Sequence, residues 1–61
     1  MNPGTAVKAI RYIRETHGAM VLPGTVGTVR GSEERFGHLV IEIAWETEER
    51  CFAFPDEISA N

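Results

Sequence analysis

The sequence predicts an all-β domain, a small barrel of four to five antiparallel strands with a one-turn helix near the C-terminus, and three stretches carry that prediction. Pro23-Gly24-Thr25-Val26-Gly27-Thr28-Val29 writes a turn and then a β-branched run. Proline presets φ for a turn, glycine accepts the positive φ that tight turns need, and branched side chains suit a pleated surface. His38 to Trp45 alternates with period two, placing Leu39, Ile41, Ile43 and Trp45 on one face and His38, Val40, Glu42 and Ala44 on the other. Arg50-Cys51-Phe52-Ala53-Phe54 alternates again and is stopped by Pro55.

In chain order, Met1-Asn2-Pro3-Gly4 is an irregular lead-in. Residues 6–15 support two readings. Ala6, Ile10 and Ile13 fall at helical spacing, with Thr5 placed to cap the start and Gly18 to end it. Val7, Ile10, Tyr12 and Ile13 suit a strand bent or bulged midway, and this reading is preferred because a helix would stand alone on a four-strand chain. Glu15 to Leu22 reads as a loop whose apolar end, Met20-Val21-Leu22, folds back onto the core. Thr25 to Arg30 is the second strand, in which Gly27 marks a bulge, a sharp bend or a close backbone approach. Gly31-Ser32-Glu33-Glu34-Arg35-Phe36-Gly37 is a seven-residue hairpin connection with an extended tip. It leads into the strand His38–Trp45, whose Leu39 face belongs in the core. Glu46-Thr47-Glu48-Glu49 is an acidic turn. In the fourth strand Phe52 and Phe54 join Trp45 as core residues, and Cys51 and Ala53 take the other side. Asp56-Glu57-Ile58 forms one helical turn with Ile58 as an apolar plug, after which Ser59-Ala60-Asn61 frays.

A chain of 61 residues is a single domain, and one of this size buries only about 60% of the surface its unfolded form exposes. Hydrophobic residues at 43% and charged residues at 25% lie well outside the regime of disorder. A core this small supplies only about 3–5 kcal/mol, and Cys51, the single cysteine, offers no internal disulfide. Association with a larger protein or with a second copy is therefore expected. The opening residues show no basic run followed by an apolar stretch, so the expected compartment is cytoplasmic. No apolar run approaches the roughly 20 residues of a membrane-spanning helix.

Charge is polarised along the chain: residues 1–30 carry +3 and residues 31–61 carry −6, for a net −3. An acidic total disfavours binding to nucleic acid, whose phosphates must be neutralised by Lys and Arg.

Short strands in series, a long connection after the first, Gly-Thr-Val leading the second, and an aromatic strand ending in a one-turn helix resemble the SH3-like barrel. More narrowly, Gly4-Thr5-Ala6-Val7-Lys8-Ala9-Ile10-Arg11, Val26-Gly27-Thr28-Val29, Phe52-Ala53 and Glu57-Ile58 look like the pattern of the small SH3-like stromal subunit of photosystem I. The variable chain of ferredoxin–thioredoxin reductase and a nitrogen-fixation accessory family are similar in layout. The resemblance implies a non-catalytic accessory subunit that docks on a larger redox enzyme, helps assemble it or receives a soluble electron carrier, with basic side chains meeting an acidic partner. Arg11, Arg14 and Arg30 are the residues placed for that part. Type II dihydrofolate reductases, self-assembling SH3-like enzymes, carry Val-Gln-Ile-Tyr on their pore strand where this chain reads Cys51-Phe52-Ala53-Phe54. Nucleic-acid-binding SH3-like modules form the other alternative.

Nothing in the sequence rises to a catalytic signature, and no cofactor or metal is expected. His17 and His38 lie far apart and would need carboxylates to complete a zinc site. Cys51 beside Arg50 reads as a packed strand residue rather than a reactive thiol. Phe36, in a polar connection beside Arg35, is the aromatic least explained by packing and reads as a contact residue. The expected partner-binding set is thus Arg11, Arg14, Arg30, Arg35 and Phe36. Glu46, Glu48 and Glu49 read as a solvated hairpin tip or an electrostatic handle.

Overall fold

The computed structural model describes residues 2–14, 20–47 and 50–61. Its strands are β1 (Ala6–Ala9), β2 (Ile13–Arg14), β3 (Met20–Val21), β4 (Val26–Arg35), β5 (His38–Trp45), β6 (Arg50–Ala53) and β7 (Ile58–Ala60), with a 3-10 turn at Pro55–Glu57. The protein is all-β. Five strands form one antiparallel sheet in the order β6-β5-β4-β1-β7, and β2 and β3 form a separate ribbon. No ladder joins β6 to β7 among the described residues, so the sheet is open.

The stretch 6–14 is extended and bent midway, as the β-branched residues imply. The bend falls at Ile10 and Arg11, where the chain leaves the sheet. Ala9 N–H donates to the Thr25 carbonyl at 2.9 Å and Ile10 N–H to the Glu57 carbonyl at 3.0 Å, which fixes where β1 stops. Glu15 to Ala19, including His17 and Gly18, lie outside the described residues. Met20 and Val21, expected in a loop, are a strand paired with β2, and only Val21 of the apolar end is buried.

The second strand is longer than expected. It runs to Arg35, and the hairpin closes on Phe36 and Gly37 alone, with Arg35 opposite His38. Both turn residues have left-handed backbone, φ 51° and 81°, the arrangement whose twist matches that of the flanking strands. Gly31 opens no loop. It pairs with Glu42 after a register shift between Val29 and Gly31, so the bulge sits at Arg30. Gly27 marks a close approach: a Cβ there would lie 2.6 Å from Ile43 Cγ2 and 2.7 Å from Trp45 Cε3.

The core consists of Val7, Ala9, Ile13, Val21, Val29, Ile41, Ile43, Trp45, Cys51, Ala53 and Ile58. Phe52 and Phe54 do not belong to it, contrary to the sequence reading. Ile41 pairs with Ala53 and Ile43 with Cys51, so the small residues of β6 face inward and Phe52 falls opposite Glu42 on the outer face. Beside the indole there is room for a thiol and a methyl, and Trp45 Nε1–H donates to Cys51 Sγ at 3.0 Å. Leu39 has the core parity but is 45% exposed, because the sheet has run past the core at that point.

At the end of the chain the helical turn sits one residue earlier than expected, with Pro55 at its start. Phe54 N–H donates to Glu57 Oε1 at 2.8 Å, and Glu57 N–H returns to the Phe54 carbonyl at 2.9 Å. Ile58 is the buried plug, but Ser59 and Ala60 do not fray. They continue β7, which pairs with the second edge of β1. Among the described residues no helix is long and apolar enough to cross a membrane.

Candidate protein-interaction surface

Beyond Ser32 and its partner Ile41, β4 and β5 have only each other. β1 reaches β4 no further than Thr28, and β6 reaches β5 no further than Ile41, the partner of Ser32, leaving residues 33–40 as a two-stranded arm. The bend after β1 carries Ile13 and Arg14 round toward the root of this arm, and the 3-10 turn follows β6 to the same place. Two depressions result.

The smaller, about 230 Å³, is lined by Ile13, Arg14, Arg35, Val40, Phe52 and Glu57, among others. Arg35 is held in two ways: its Cζ lies 4.2 Å from the Phe52 ring centroid, and its guanidinium meets Glu33 Oε1 at 3.0 Å. Val40 is buried here although it lies outside the core cluster. The Glu57 carboxylate is occupied by the Phe54 N–H. Among the described residues Arg14 makes no ion pair, so of the two cations lining this groove its charge is the more available to a visitor.

The larger depression, about 480 Å³ and open to solvent, is lined by His38, Leu39, Phe54, Pro55 and Asp56. The His38 and Phe54 rings meet edge to face, with centroids 6.2 Å apart. Arg11 stands 3.8 Å from Asp56 with both side chains exposed, an ion pair of little energetic weight.

Of the five expected contact residues, the fold brings Arg14 and Arg35 to one groove and sets Arg11 beside the neighbouring one. Phe36 is on the tip of the arm, fully exposed. Arg30 sits at the bulge and lines neither depression. Phe52 and Phe54 are surface-forming residues that the sequence assigns to the core; the signal against that was the small-large alternation of β6 beside a tryptophan-bearing neighbour. Glu46 accepts weakly from the Val26 N–H at 3.4 Å, and Glu48 and Glu49 lie outside the described residues.

This surface combines apolar rings, shallow concavity and cations, the ingredients of a protein contact. Among the described residues no cluster of His, Cys, Asp or Glu could hold a metal ion. Neither a protein-family model, nor a curated protein, nor a solved structure matches this chain significantly.

Proposed function

We propose that this chain is a small non-catalytic protein-interaction module of SH3-like architecture, an accessory subunit or assembly factor that docks on a larger enzyme complex. The order of pieces supports the SH3-like reading: five strands in series, a ribbon-bearing connection after the first, and a 3-10 turn before the last. The observation that carries the functional reading is the groove in which Arg35, stacked on Phe52 and fixed by Glu33, faces the same hollow as Arg14. A guanidinium held in place loses little side-chain entropy on binding, and its neighbouring rings offer apolar area. The matching partner surface places an acidic side chain next to an apolar one.

Affinity capture from native cell extract, followed by mass spectrometry, tests this. One partner is expected, lost with Arg14→Ala and Arg35→Ala, retained with Arg30→Ala, and weakened by salt. Undiminished capture of the same partner by both groove variants overturns the proposal.

A further inference from the structure

We infer that the chain pairs with a second copy of itself through the β4–β5 arm, each Phe36 ring entering the other copy's depression between Leu39 and Pro55. Phe36 is the starting point. Its φ of 51° is a left-handed conformation that bulky L-residues rarely adopt, at a turn that glycine or asparagine would make without strain. Its side chain is 100% exposed, so nothing inside the chain offsets that cost. A local rule broken with no internal compensation points to a role outside the fold.

The depression begins two residues along the same arm, at His38, a separation of about 7 Å along the strand. A knob and a hollow this close on one element are self-complementary: a single two-fold axis between two arms fills both hollows at once and closes the assembly. Phe36 alone offers about 200 Å². Leu39 and Phe54 are each about half exposed and bring the apolar total to roughly 400 Å², about half of the ~800 Å² that one partner gives to a standard interface. Asp56 on the rim has the Arg11 guanidinium 3.8 Å away, so this pair adds no net charge to the mouth that the ring enters. The outer edge of the arm is charged at Glu33, Glu34 and Arg35, which opposes runaway strand-to-strand pairing and leaves the side-chain contact as the mode of association. The pairing does not use the Arg14 groove and stands or falls independently of the function proposed for it.

Sedimentation equilibrium of the full chain from about 10 μM to about 1 mM tests the inference. A monomer–dimer equilibrium is expected within that range. Phe36→Gly and Leu39→Glu should each weaken it at least about tenfold. Phe36→Gly relieves the left-handed residue, so in dilute solution, where both chains are monomeric, its unfolding midpoint should equal or exceed that of the parent, separating lost pairing from lost folding. In a mixture of differently labelled copies, Phe36 ring protons should show contacts to Phe54 or Pro55 of the other copy. A parent chain that stays monomeric at about 1 mM, association that grows past the dimer, or a dimer indifferent to Phe36→Gly overturns the inference.

Discussion

Gly27→Ala tests the packing at the centre of the sheet. Gly27 is buried, opposite Trp45 on one side and Val7 on the other. A Cβ would stand 2.6 Å from Ile43 Cγ2, 2.7 Å from Trp45 Cε3 and 3.1 Å from the Ala44 carbonyl. Ile43 is fully buried and Trp45 is 2% exposed, so neither is the loose end of a flexible side chain that can step aside. Overpacking of this kind costs about 1–3 kcal/mol. Against it stands the smaller unfolded-state entropy of alanine, worth about 0.4–1 kcal/mol. With two rigid contacts below 3 Å the clash wins, for a net loss of about 1–2 kcal/mol.

A domain of this length has a total stability of roughly 3–9 kcal/mol, so the loss is a sizeable fraction. It corresponds to a fall of about 5–15 °C in the thermal midpoint, followed by far-ultraviolet circular dichroism. Gly31→Ala is the matched control, because a Cβ there meets nothing within 4 Å. It should be neutral or stabilising by up to about 1 kcal/mol. If Gly27→Ala melts at or above the parent, the close-approach account of this glycine is wrong.

Other substitutions separate fold from surface. Arg35→Ala should cost only about 0.5–1 kcal/mol in urea unfolding, the worth of a half-exposed stacked cation, while removing partner capture. Phe36→Gly should raise stability by about 1 kcal/mol in dilute solution, the cost of a left-handed L-residue, read as a higher thermal midpoint. Cys51→Ala should destabilise more than Cys51→Ser, because alanine leaves the buried Trp45 N–H without its acceptor, a penalty of about 1–3 kcal/mol. The thiol of the parent chain, 4% exposed, should react with a thiol reagent only as fast as the chain opens.

The limits of β5 are legible in the sequence because four apolar residues alternate without a break between a glycine and an acidic turn. Burial imposes that pattern, and where burial is absent the pattern is absent too. The outer half of β4, Ser32 to Arg35, is polar throughout because it pairs beyond the core, so a strand there has the composition of a loop. β7 is hidden for another reason: its three residues have no periodicity and exist as a strand only because β1 has a second edge to satisfy. The inversion of β6 shows that hydrophobicity alone does not choose a face. Register with β5 chooses it, and the volume beside Trp45 admits only the smaller set. For the surface, Phe36 is legible as an unexplained aromatic. The meeting of Arg14 with Arg35 is not, because it depends on a bend at Ile10 and Arg11 and on an arm the sequence reads as loop.

All three phenylalanines of this chain lie outside the core cluster, which is built from branched aliphatics, two alanines, a cysteine and one tryptophan. Folding alone does not explain that distribution in a domain whose core yields only about 3–5 kcal/mol, since rings are the richest source of burial the chain has. The three rings also share one end of the molecule, on the arm and beside the 3-10 turn. Paired truncations test whether they serve folding or contact. Ile58→Ala removes a smaller side chain that is 5% exposed, and Phe54→Ala removes a larger one that is 48% exposed. If contact is their role, Ile58→Ala should cost about 2–4 kcal/mol in urea unfolding and Phe54→Ala under about 1.5 kcal/mol. The reverse order would mean that the rings hold the fold together, and their placement would then say nothing about a binding surface.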